Sequence, residues 1–186
     1  MLAWLLLTAC APHRVALTFD PGEGTVPQVG EVLEERLHEV GARRYKVHSD
    51  DELVVWLRPE DRPRLDAVLV SGVLSVGWEG EEPFLPAVVA KELTCIETTG
   101  RVRWALSFRS DDAFALYEQT FEPTTRTLQI LVDGEVVSEA AVREPISGGT
   151  AMVDTDMSYR DCRVLSAQLS GGVLPEGFRL VAEDEL

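Results

Sequence analysis

The chain has 186 residues, enough for one large domain or two small ones, and its 45% hydrophobic and 26% charged residues are those of a folded globular protein rather than a disordered one. With 32 acidic against 17 basic side chains the formal charge is −15, which argues against a nucleic-acid partner, because neutralising phosphates takes clustered Lys and Arg and no such run occurs. The charge argues equally against flat docking on an anionic bilayer. Its simplest meaning is solubility, with Glu31, Glu34, Glu35 and Glu39 on a wetted helix face; a basic partner is the sharper alternative.

Residues 1–9 are apolar and end in Leu7, Thr8 and Ala9 before Cys10, the pattern of a bacterial lipobox, in which small residues let the signal peptidase bind an extended chain. Residues 1–10 therefore read as a lipoprotein signal peptide, with Cys10 as the site of lipid attachment. The stretch is far short of the about 20 residues that span a bilayer, and it lacks the basic start of a signal peptide. A first core strand or a misassigned start is the competing reading.

After a polar joint at Pro12, His13 and Arg14, residues 15–19 read as a strand that Asp20, Pro21 and Gly22 terminate. Thr25 and Gln28 fit a capping box, with Pro27 tolerated in the first turn. The helix that follows buries Val29, Val32, Leu33, Leu37 and Val40, and Gly41 can end it in a left-handed cap. Residues 45–48 and 53–57 predict a hairpin across Ser49, Asp50 and Asp51. A short helix over 60–70 directs Leu65, Val68 and Leu69 inward, and 73–78 is a strand. Strand, helix, strand, strand, helix, strand is the order of a ferredoxin-like βαββαβ unit, in an α+β fold. Residues 79–83 offer charge and turn formers with nothing to bury, a plausible boundary.

Beyond it, 93–97 and 102–108 are candidate strands, the second with an apolar face of Val102, Trp104, Leu106 and Phe108. Ser110 can cap a helix whose Phe114, Tyr117 and Phe121 would pack on that face. Residues 128–132 alternate as a strand, Asp133 and Gly134 suit a type I′ turn, and 135–138 should return alongside. A second glycine turn at Ile146, Ser147, Gly148 and Gly149 leads to 150–153, which predicts a three-stranded meander. Ser158 caps a last helix with Val164, Leu165 and Leu169 inward; Gly171 and Gly172 stop it, and 178–181 forms a terminal strand able to return to the base.

Chemistry is sparse. His13, His38 and His48 stand in a linker, on a wetted helix face and at a strand end, with no nucleophile elbow, HExxH or paired CxxC. Asp154, Thr155, Asp156 and Ser158 imitate the start of a calcium loop, but Tyr159 and Leu165 occupy the positions that require glycine and glutamate. Cys95 and Cys162 could pair in an exported protein. Their placement on a strand and on a helix of different subdomains favours two small buried hydrophobes. The acidic end, EDEL, reads as a frayed terminus rather than a retention signal.

At the hairpin the sequence resembles a known family. DGEVVS (133–138) followed by REPISGGTA (143–151) is similar to the "LDGKVISAP…I(T/S)GG.A.I" hairpin in the head of the first periplasmic domain of SecD and SecDF, accessory subunits of the bacterial preprotein translocase. Asp133, Gly134, Pro145, Ile146, Ser147, Gly148 and Gly149 carry the resemblance. It extends upstream through RVRWALSF (101–108) and the helix after it. Downstream it reaches LSGGVLP (169–175), similar to the family's "LA..L..GALP". The loop DPGEG (20–24) departs from the family's "DL.GG".

The resemblance implies a ferredoxin-like base (14–82 and 155–186) carrying an inserted head (83–154), with no catalytic residues, cofactor or metal. Its implied partners are unfolded polypeptide or translocase components on the outer side of the cytoplasmic membrane. SecD itself couples a proton gradient through acidic residues within membrane spans, whereas no apolar run here approaches about 20 residues. The expectation is thus a lipid-anchored accessory of the cell envelope, tethered at Cys10, rather than a motor. The alternative is an envelope interaction module unrelated to export.

Overall fold

The computed structural model describes residues 14–99, 101–122, 126–169 and 171–186. The expected signal peptide with Cys10, and His13, lie outside the described residues. The lower half is a four-stranded antiparallel sheet built on β1 (Val15–Asp20), in which Val15, Leu17 and Phe19 alternate inward. With β2 (Lys46–His48), β3 (Leu53–Leu57) and β11 (Arg179–Glu185) the order is β11-β1-β3-β2. The helix α1 (Val26–Glu39) covers one face with Val29, Val32, Leu33 and Leu37, each such side chain contributing about 1.5–3 kcal/mol on burial. Its end is a Schellman cap: Gly41 takes φ 72°, its N–H reaches His38 O at 3.0 Å, and Ala42 N–H reaches Leu37 O at 3.0 Å. The start differs from expectation. Thr25 makes no bond to the helix backbone, its hydroxyl donating instead to Gln28 Oε1 at 2.8 Å.

Two expectations about this half need correction. The helix expected over 60–70 shrinks to a 3₁₀ turn (Pro59–Asp61) and the short α2 (Arg62–Asp66). More consequentially, β4 (Leu74–Trp78) does not close the lower sheet; every residue of β4 is buried, and it joins the upper half. Its place in the lower sheet falls to β11, and the second crossing helix is α4 (Tyr159–Leu169). The ferredoxin-like strand order is thereby kept, with its fourth strand supplied from the far end of the chain.

The upper half consists of two antiparallel sheets around one core. The first is β5 (Leu85–Val88), β4, β8 (Thr127–Val132) and β9 (Glu135–Ala141), in the order β5-β4-β8-β9. The second is β6 (Glu92–Thr98), β7 (Arg101–Ser107) and β10 (Thr150–Thr155), in the order β10-β7-β6. Residues 79–83, expected as the boundary below the head, lie in the turn inside the first sheet, between β4 and β5. Trp78, Leu128 and Ile130 share the core with Trp104, Leu106 and Val153. The helix α4 serves both halves, with Cys162, Leu165 and Leu169 in this core and Ala167 in the lower one.

The expected three-stranded meander does not form. The β8–β9 hairpin does, with Asp133 at φ 51° and Gly134 at φ 84° as a type I′ turn requires. But β10 pairs with β7 in the other sheet, so β9 and β10 each end a sheet. The face of α3 (Ser110–Thr120) is also corrected. Phe114 and Phe121 are 61% and 56% exposed, while Leu116 and Thr120 turn inward. Thr120 Oγ1 donates to Leu116 O at 2.8 Å and accepts Ile146 N–H at 3.0 Å, which fixes the helix through its polar side.

Candidate functional site

Because β9 and β10 end different sheets, each has one edge without a neighbouring strand among the described residues, and both line one groove of about 400 Å³. Ser138 and Ala140 contribute from β9, Met152 from β10, and the loop bearing Pro145, Ile146 and Ser147 closes one wall. Met152 is 56% exposed. The loop is held at both ends: Ile146 N–H bonds Thr120 Oγ1, and Gly149 O accepts Phe108 N–H at 2.8 Å. Gly149 sits at φ 63°, and a Cβ there would lie 2.9 Å from the Ala113 side chain, so both backbone and space call for glycine. Gly148 has open space around it and lines the groove.

The two halves of the hairpin motif therefore do different work. Pro145, Ile146, Ser147, Gly148 and Gly149 form or support the groove wall. Asp133 and Gly134 lie at the joint between the halves. Asp133 Oδ2 accepts Gly72 N–H at 3.0 Å, Oδ1 accepts Val73 N–H at 2.8 Å, and its own N–H donates to Val73 O at 2.8 Å. The joint has a second member that the sequence reading missed, the fully buried Arg36. Its guanidinium donates to Val68 O (2.8 Å), Val70 O (2.6 Å), Ser71 O (3.0 Å) and Gly172 O (2.7 Å), gathering the outgoing and returning crossings of the chain. Burial lowers its pKa from the ordinary guanidinium value to about 10, with Asp133 acting in the opposite sense, so it is cationic at neutral pH. A signal was present: Arg36 follows Leu33 by three and precedes Leu37, on the buried stripe, where a charge must be paired or hydrogen-bonded.

Cys95 and Cys162 are bonded to each other, with S–S 2.06 Å and Cα atoms 6.0 Å apart, which overturns the reading of two isolated hydrophobes. The reason is the double role of α4: it packs on β6 as well as on α1, and Ser166 Oγ donates to Leu93 O at 3.0 Å beside the bridge. His38 is exposed, His48 lies 3.8 Å from Asp50 at the surface, and no metal-binding group of His, Cys, Asp and Glu occurs among the described residues. No described helix is long and apolar enough to cross a membrane.

Residues 89–176 match the family model of the SecDF P1 head subdomain, a span that holds the groove and both halves of the motif. The chain is thus similar to the P1 domain of SecD/SecDF, most directly in its head. Its relatives by sequence include the protein translocase subunit SecD of Prochlorococcus marinus, 36% identical over 77 residues, covering 38% of this chain and 16% of that protein. The SecD of Acidaminococcus fermentans is 29% identical over 85 residues, covering 46% of this chain and 20% of that protein. The chain thus spans a fifth or less of these subunits. Among solved structures it is similar to SecDF in a super-membrane-facing form, with a TM-score of 0.71 over 93% of this chain and 30% of that one. It is also similar to the structure of SecDF described as a membrane component that enhances protein export, with a TM-score of 0.67 over 91% of this chain and 98% of that one. Both are 19% identical, so the likeness is one of α+β fold.

Proposed function

We propose that this P1-type chain is a binding module of the cell envelope that takes up extended polypeptide on the outer side of the cytoplasmic membrane, assisting protein translocation, and that it is tethered by lipid at Cys10. The observation that carries the reading is the groove with β9 along one side and β10 along the other. An extended segment entering it gains main-chain hydrogen bonds from a sheet edge, and those bonds do not depend on the segment's sequence. The exposed Met152 offers an adaptable apolar contact. The relationship to SecD supports the envelope location. So does the Cys95–Cys162 bridge, since disulfides persist in oxidising compartments.

Fluorescence anisotropy with a labelled, reduced and carboxymethylated protein as the unfolded probe tests this reading. The chain should bind the unfolded probe, should bind the same protein weakly when folded, and should lose about tenfold in affinity when Ala140→Lys and Met152→Lys place charges along the two edges. Absence of binding, or binding that the two substitutions leave unchanged, rejects the groove as the site. Tethering is read separately from the mass of the mature N-terminal peptide, where an unmodified Cys10 would reject it.

A further inference from the structure

Away from the groove, the lower sheet carries a cluster that contradicts the charge of the molecule. The helices α1 and α4 pack on the face bearing Val15, Leu17, Phe19, Val55 and Leu57. Strand alternation sends the other set of residues to the opposite face. The register pairs Val15 with Leu57 and Lys46 with Trp56, so continuing it past the strand ends, by one residue on β1 and by two on β2, sets Arg14 and Arg44 on either side of Arg58. Arg14 N–H bonds Leu186 O at 3.2 Å, so the β1–β11 ladder reaches that row. These four cations, with Tyr45 and Trp56, line one cleft of about 340 Å³. Lys46 Nζ stands 5.6 Å from the Trp56 ring centroid.

Like charges set directly across neighbouring strands are unfavourable. Here the opposition is scarcely relieved. Arg58 pairs with Glu60 at 3.2 Å, whereas Arg14, Arg44 and Lys46 have no ion-pair partner among the described residues, in a chain with 32 acidic side chains to choose from. We infer that this cleft binds a phosphate oxyanion. A carboxylate brings one charge and two oxygens. A phosphate group brings more acceptor oxygens, which forked guanidiniums can take in bidentate fashion, and so matches three arginines and a lysine better. The Trp56 ring beside Lys46 is suited to the boundary between a headgroup and its acyl chains, so the phosphate can come free or as the headgroup of an anionic phospholipid. This inference does not depend on the groove.

The test uses the full chain carrying Cys10→Ala, so that no acyl group can drive vesicle binding. Inorganic phosphate is titrated while the Trp56 indole resonance is followed by NMR. In parallel, the protein is sedimented with vesicles of phosphatidylcholine alone and of phosphatidylcholine mixed with phosphatidylglycerol. A shift with phosphate and no preference between vesicles supports a free phosphate as ligand. Co-sedimentation only with phosphatidylglycerol supports the lipid headgroup. Either response should fall at least tenfold in the Arg44→Gln/Lys46→Gln variant, whose substitutions are at exposed positions and should leave the thermal midpoint and polypeptide binding unchanged. No response in either arm, or a response equal in the variant, overturns the inference.

Discussion

The joint and the groove lie in one small molecule and treat their polar groups in opposite ways. At the joint, four carbonyls and two amide N–H groups are taken up by two side chains, Arg36 and Asp133, and the guanidinium is wholly buried. At the groove, two strand edges have no neighbouring strand among the described residues, and a loop closes one side. Rigidity and receptivity are thus divided between two places, and the hairpin motif contributes one end to each.

This contrast can be broken by substitution, starting where the effect is largest. Arg36→Met should remove about 3–5 kcal/mol from the unfolding free energy in urea, because the carbonyls of Val68, Val70, Ser71 and Gly172 lose the guanidinium as donor, with Ser71 O keeping Leu174 N–H. Where the folded form persists, its affinity for unfolded polypeptide should not change; a loss of affinity equal to the loss of stability would merge the two regions into one. Removing the disulfide with Cys95→Ala and Cys162→Ala should reduce stability by about 2–4 kcal/mol, since it closes a loop with a sequence separation of 67. Wild-type protein denatured in dithiothreitol should then match the variant in air.

Asp133→Ala should lower stability by about 1–3 kcal/mol, through two freed N–H groups and a left-handed backbone that alanine resists. Asp133→Asn should recover part of that, since asparagine tolerates the same conformation and keeps one acceptor. If the two variants prove equally stable, the carboxylate does not hold the crossing. Smallest is Met152→Lys, expected to move stability by no more than about 0.5 kcal/mol because the side chain is already in solvent. It should still weaken polypeptide binding, which sharpens the division between the regions.

Elements whose pattern was local were legible in the sequence. The stripe of α1, its Gly41 cap and the Asp133–Gly134 turn follow from spacing and from residues that accept positive φ. Partner choice was not legible. A strand such as β4, covered on both faces, shows no alternation that would say which sheet claims it. On α3, the aromatic stripe of Phe114, Tyr117 and Phe121 and the stripe through Ala113, Leu116 and Thr120 are both helical in period. Periodicity could not choose between them, and size misled. The disulfide depended on one helix serving two cores, and the basic cleft depends on Arg14, Arg44, Lys46 and Arg58 meeting through strand register. A scan for charge runs sees neither.

The crossings at the joint are bonded to each other as well as to Arg36, through Leu174 N–H to Ser71 O at 2.9 Å and Ser71 Oγ to Leu174 O at 3.2 Å. Everything between them is a closed bight of chain knotted off at its root. If β1 and β11, which lie side by side, were pulled apart in an optical trap, tension would unzip the lower sheet while the inserted half stayed slack. A tug applied at the groove would instead reach the rest of the molecule through that clasp and through α4, which packs in both cores.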